Sequence, residues 1–346
     1  RSAPPGRPGP LAQAVDALSR ALGWPVVCDA LSGLDHVRAA DALLRDPAFR
    51  AEHRPTHALR LGQVPTSKAT QRWLADAAPE TVLVDPDGQW HDPEHQAALL
   101  LVADPVDACY ALARSAGPRA HDDGWLAAWT RADRAARAAL DQAARDGWWE
   151  GAVARAVVDA LPPGALLVVA SSLAVRDVDA FGGAPTAALL SSRGANGIDG
   201  TIAAAAGAAL AWTAGPVVAL VGDLAFVHDL GGLAAARELE VPLTVVVVDN
   251  GGGAIFGQLP VAAHPTAFER LFLTPSRLDL EAAARGLGAE AVTVHDLPAL
   301  REALARRGPV ARVVRAPVDR NEGARRRDAA WAAVSRAWRE PAEVLP

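Results

Sequence analysis

Two stretches decide the fold: Val217-Val218-Ala219-Leu220-Val221-Gly222-Asp223-Leu224 and Leu243-Thr244-Val245-Val246-Val247-Val248-Asp249-Asn250-Gly251-Gly252-Gly253. Each opens as a run of β-branched and aliphatic residues without polar alternation, the pattern of a strand covered on both faces in a parallel sheet. Each then ends in small and polar residues, and the intervening Leu230 to Leu239 has helical spacing. Strand, helix and strand in this order predict a doubly wound α/β sheet, whose ligands sit beyond the carboxyl ends of the strands. Gly222-Asp223 and Asn250-Gly251-Gly252 occupy those ends, with the amide 27 positions after the acid. Either dipeptide alone is an ordinary turn after a strand. Together Asp223, Asn250 and the Gly252 carbonyl form an oxygen set suited to a hard dication, and the glycines let phosphate oxygens approach the backbone.

The same alternation extends outward. In the second half the pattern predicts helix Val153 to Leu161, strand Leu166 to Ala170 and a helix from Leu173. Helix Thr201 to Trp212, helix Leu280 to Leu287, strand Val310 to Val314 and helix Asp328 to Trp338 follow. The first half reads as a Pro- and Gly-rich linker from Arg1 to Pro10, then helix Leu11 to Leu22, strand Pro25 to Cys28 and helix Asp35 to Leu44. After these come the apolar stretch His57 to Leu61, helix Lys68 to Ala77 behind a Thr66-Ser67 cap, and strands Thr81 to Val84 and Ala98 to Ala103. A long Ala- and Arg-rich helix from Trp125 to Asp146 carries the chain across. The expectation is two doubly wound domains, 1–133 and 134–346.

Bulk properties narrow the function. A chain of 346 residues, 51% hydrophobic and 21% charged, exceeds what one core usually supports. A net charge of -6 with Arg, Asp and Glu interspersed leaves no basic stripe for nucleic acid. No apolar run reaches a membrane span. Two distant cysteines, Cys28 and Cys109, suggest neither a disulfide framework nor a metal cage, the profile of a cytoplasmic protein. Lys68 is the only lysine, and two of the three asparagines, Asn196 and Asn250, fall in the motifs discussed here. The sequence begins at Arg1 and contains no methionine, so a processed chain or a fragment is expected.

Gly-Asp, a helix, an apolar strand and then Asn resemble the thiamine-diphosphate fingerprint of the decarboxylase and carboligase superfamily. Further stretches narrow the resemblance: Ser171-Ser172-Leu173-Ala174-Val175-Arg176-Asp177, Arg193-Gly194-Ala195-Asn196-Gly197-Ile198-Asp199-Gly200, and Gly253-Ala254-Ile255-Phe256 with Leu259-Pro260. In the first half, Gly23-Trp24-Pro25, Leu31-Ser32-Gly33-Leu34, Arg60-Leu61-Gly62 and Pro65-Thr66-Ser67-Lys68 agree with them. All are similar to the 2-succinyl-5-enolpyruvyl-6-hydroxy-3-cyclohexene-1-carboxylate (SEPHCHC) synthases of menaquinone biosynthesis.

That resemblance implies a central domain followed by a diphosphate-binding domain, a thiamine diphosphate cofactor, and Mg2+ or Mn2+ held by Asp223, Asn250 and Gly252. It implies that Gly222, Leu224 and Ile198 also meet the cofactor, Ile198 as the apolar wedge under its bend. Ser172, Arg176 and Arg193 would hold the donor 2-oxoglutarate, and Lys68 would reach the acceptor isochorismate. Ile255 and Phe256 would line the substrate side. Ala69 stands where the family can carry a second basic residue. The family's N-terminal pyrimidine-binding domain, with its catalytic glutamate, is expected to be absent from this chain, and the complete enzyme to be a homodimer or tetramer. A subunit of a split enzyme, a different carboligase or keto-acid decarboxylase, and a non-catalytic magnesium-diphosphate module are the alternatives. His91 and His95 at helical spacing are set aside because Pro93 lies between them, His228 as structural, and Arg325 to Arg327 as a solvated cluster.

Overall fold

A computed structural model describes residues 9–116, 123–306 and 308–340. The expected linker therefore lies outside the described residues up to residue 8, and Pro10 already opens the helix Pro10–Leu22. Two compact units emerge, Arg1–Leu140 with Ala330–Pro346, and Asp141–Ala329. The division falls inside the long helix Asp123–Arg145, seven positions beyond the expected boundary at 133.

The second unit holds a six-stranded, all-parallel sheet of β4 (Leu166–Val169), β5 (Ala188–Leu190), β6 (Val217–Gly222), β7 (Leu243–Asp249), β8 (Glu290–Thr293) and β9 (Arg312–Pro317). Their spatial order is β5-β4-β6-β7-β9-β8. The chain winds outward from β4 in one direction to β5 and in the other to β6, so a topological switch point opens at the carboxyl ends of β4 and β6. Every residue of β4, and all of β6 before Gly222, is buried, which is why these strands read as unbroken apolar runs. The Ala-rich helix Thr201–Ala211 lays Ile202, Ala205 and Ala206 against this core. Gly200 offers that helix no capping side chain, so buried Asp229 does so from elsewhere in the chain, its Oδ2 accepting from the N–H groups of Ile202 (2.5 Å) and Ala203 (2.9 Å).

The first unit carries a three-stranded parallel sheet, β1 (His57–Leu61), β2 (Glu80–Val84) and β3 (Ala97–Leu101) in that order. Helix Pro10–Leu22 buries Ala14, Val15 and Leu18 with Cys109 of helix Pro105–Ser115. Trp338 packs edge-on against Phe49, which Trp129 also meets edge-on. This aromatic packing places the end of the chain with the first unit, a long-range return that no local pattern announces.

Two expected elements are corrected. Pro25 to Cys28 is not a strand; only a single parallel bridge joins Val27 to Val37. The helix expected over Asp35 to Leu44 shrinks to Ala40–Leu43, because Val37 is committed to that bridge and the N–H of Ala39 donates to the Asp133 carboxylate at 2.8 Å. Tertiary partners here override the local periodicity.

Candidate functional site

Helix Asp223–His228 starts directly at the end of β6, so the chain must turn from strand to helix at Gly222-Asp223. Asp223 is 3% exposed. Its Oδ1 accepts from the N–H of Leu224 at 2.9 Å, and the N–H of Gly252, in the loop after β7, favours its ionised form. The loops after β6 and β7 thus approach each other at the acid. Beyond β7, Gly251 and Gly252 adopt φ of +77° and +127°. A Cβ on Gly252 would collide with the Leu273 carbonyl, so glycine is required there by both conformation and space. The Gly252 carbonyl accepts from Ala254 N–H at 2.9 Å and retains a second lone pair.

Burial, and then the neighbouring carboxylate of Asp249, push the Asp223 carboxyl up to about 7. Asp249 is itself gripped by Arg315 of β9, whose Nε and Nη2 reach Oδ2 at 2.7 and 2.6 Å. Two carboxylates held together in a buried site are relieved by a cation between them and the solvent side. Asn250, 9% exposed, gives its Nδ2 to Glu150 at 3.1 Å, which leaves its oxygen as the end suited to a cation. Among the described residues no cluster of three or more His, Cys, Asp or Glu forms a cage. Asp223, the Asn250 oxygen and the Gly252 carbonyl are hard oxygen donors that fit a dication with coordination positions left open to a diphosphate.

At the end of β4 the two predicted arginines converge. Arg176 Nη1 donates to the Ser172 and Ser171 carbonyls at 2.7 and 3.3 Å, and Arg193 Nη1 donates to the same Ser171 carbonyl at 3.2 Å and to Asn196 Oδ1 at 2.5 Å. Ser171 Oγ donates to the Ser192 carbonyl at 2.6 Å, stitching the two loops together. Two guanidinium groups are thereby fixed within one loop pair beside the switch point. Ile198 is half-buried and packs on the core that underlies β4, β6 and β7. Ile255 is half-buried, while Phe256 is 38% exposed and meets Phe272 edge-on. Lys68 belongs to the first unit, where it opens helix Lys68–Ala77 and reaches Gln71 Oε1 at 3.1 Å. His91 and His95 flank the turn at Pro93-Glu94, and His228 is exposed.

Sequence reasoning missed the polar groups behind this site. Glu150, 2% exposed, opens helix Glu150–Ala160 between Trp149 and a run of buried residues. Burial and then Asp177 push its carboxyl up, against the opposing charge of Arg327. Arg327 pairs with buried Asp177 at 2.5 Å. Glu150 carries no motif; only the fold brings it to Asn250.

A switch-point sheet with paired acid and amide loops defines a class of cofactor-binding α/β proteins. The family models agree: residues 179–313 match "Thiamine pyrophosphate enzyme, C-terminal TPP binding domain", and residues 10–169 match "Middle domain of thiamine pyrophosphate". The chain belongs to the thiamine pyrophosphate enzymes and carries their middle and C-terminal domains. Within them it is similar to 2-succinyl-5-enolpyruvyl-6-hydroxy-3-cyclohexene-1-carboxylate synthases. It is 38% identical to that of Geobacillus kaustophilus over 304 residues, 85% of this chain and 52% of the relative. To that of Myxococcus xanthus it is 42% identical over 305 residues, 85% and 51% of the two chains, and to that of Rubrobacter xylanophilus 42% over 293 residues, 80% and 50%. The chain spans about half the length of the curated relatives it matches.

Proposed function

We propose that the complete protein is a transferase of menaquinone biosynthesis that decarboxylates 2-oxoglutarate and joins its succinyl unit to isochorismate, giving SEPHCHC. This chain supplies the cation and diphosphate site and the donor clamp. The reading is supported by Arg176 and Arg193 converging on the Ser171 carbonyl after β4, while Asp223, Asn250 and Gly252 follow the neighbouring strands β6 and β7, in a chain similar to synthases of that name. Thiamine diphosphate supplies the electron sink that a 2-keto acid needs to lose carbon dioxide. Asp223, Asn250 and the Gly252 carbonyl hold Mg2+ or Mn2+ on its diphosphate, with Gly222 and Leu224 lining the same loop and Ile198 beneath the cofactor. Arg176 and Arg193, with Ser172, fix the distal carboxylate of 2-oxoglutarate; guanidinium groups suit this because they bind carboxylates in a planar, two-pronged manner. Lys68 meets a carboxylate of isochorismate, and Ile255 and Phe256 flank the substrates. The pyrimidine-binding half of the family's site and its catalytic glutamate come from a further domain, through which the enzyme forms a homodimer or tetramer. Cys28 and Cys109 form no disulfide, which accords with a cytoplasmic setting, and no described helix is long and apolar enough to cross a membrane.

Donor selectivity in the complete enzyme tests the reading. Replacing Arg176 or Arg193 by Ala should raise KM for 2-oxoglutarate about 10-fold to 100-fold, the worth of a hydrogen bond to a charged group, and change that for pyruvate little. Arg→Lys should rescue only in part. Equal losses on both keto acids would show that the arginines serve the loop and not the donor.

A further inference from the structure

We propose that Glu150 is a positioning residue that fixes the side-chain amide of Asn250 so that its oxygen, and not its nitrogen, faces the cation. The inference rests on Asn250 being a ligand. An asparagine amide has two ends of similar size, and which end faces a ligand is set by the group on the other side. Here that group is Glu150 Oε1, which accepts from Asn250 Nδ2 at 3.1 Å across 100 positions of sequence. Ionised or protonated, a carboxyl keeps an acceptor oxygen for this N–H.

Glu150 is buried at a cost. It is 2% exposed, and its Oε2 lacks a hydrogen-bond partner among the described residues, an arrangement that natural cores avoid. The surroundings are shaped to keep it there: Gly323, in helix Arg320–Ala337, leaves the space that Oε2 fills, because a Cβ at that position would collide with it. A glycine inside a helix is unfavourable relative to alanine, so its presence against this carboxyl is a further sign that the carboxyl is accommodated. Nearby, Arg327 pairs with Asp177, and its charge only partly opposes the burial and the Asp177 charge that push the Glu150 carboxyl up. Groups behind a metal ligand orient it in this way and carry a measurable share of affinity.

The test titrates Mn2+ into this chain in the presence of thiamine diphosphate and follows free Mn2+ by electron paramagnetic resonance. Glu150→Leu, which keeps bulk but offers no acceptor, should weaken Mn2+ binding about 10-fold, and Glu150→Gln should recover most of it. Glu150→Ala replaces the Leu variant if near-ultraviolet circular dichroism shows the latter misfolded. In an Asn250→Ala background the Glu150 substitution should have no further effect, whereas a merely structural role would persist. Unchanged Mn2+ affinity in Glu150→Leu, or an undiminished loss in the Asn250→Ala background, would overturn the inference. If Asp223→Ala and Asn250→Ala themselves bind Mn2+ like the wild type, the site assignment fails first and takes the inference with it.

Discussion

His53 is held neutral by its surroundings: burial lowers its pKa below the ordinary 6.5, while Nδ1 donates to the Phe49 carbonyl at 3.0 Å. Its ring stacks on Phe49 at 3.9 Å and meets Trp129 edge-on. In the unfolded chain the imidazole takes a proton near its ordinary value, so the unfolded state binds more protons as pH falls below 6.5. Stability from this group is present above that value and is lost as pH falls toward the lowered folded value. Between about pH 7.5 and about pH 5.5 the melting temperature of the wild type should fall further than that of His53→Gln. Parallel curves would show that His53 is protonated equally in both states. At this scale the sequence was legible where residues come in motifs. Asp223, Asn250 and Gly252 stand at strand ends with a fixed separation, and the fold brings the loops that carry them together. Glu150, Asp249 and Arg315 were not legible as partners, because their roles arise only when β7, β9 and helix Glu150–Ala160 come together.

Helix Lys68–Ala77 shows how one residue sets an element. Ser67 Oγ accepts from the Thr70 N–H at 3.0 Å and donates to Asp41 Oδ1 at 2.6 Å, so it caps the helix and ties it to the preceding segment. Ser67→Ala should cost about 1–2 kcal/mol in a denaturant melt, and Ser67→Thr, which keeps the hydroxyl, less. No change would mean that water replaces both bonds. Caps of this kind were readable in the sequence, as were β4, β6 and β7, whose burial on both faces leaves continuous apolar runs. The edge strands β5 and β8 were missed, since three and four residues carry no usable period. The first turns of helix Arg320–Ala337 were missed too, although Asp319 Oδ1 accepts from the N–H groups of Asn321 (2.7 Å) and Glu322 (3.1 Å), a start signal in plain view.

At the scale of the whole molecule, two α/β units recur in one chain, and the sheet of the second gathers its chemistry at one end. The middle-domain match runs to residue 169 and so takes in β4, which the structure places in the second sheet. Ser171, Ser172 and Arg176, just after β4, thus stand between the two matched regions, while Arg193 falls within the second. The central claim is that this end holds a dication and a diphosphate through Asp223, Asn250 and Gly252. Calorimetric titration of thiamine diphosphate, with and without Mg2+, into the wild-type chain and Asp223→Ala tests it most directly. The account predicts Mg2+-dependent binding that Asp223→Ala weakens by about 10-fold to 100-fold, on the order of 1.4 to 2.8 kcal/mol. Equal affinity in the two proteins, or wild-type binding indifferent to Mg2+, would contradict it.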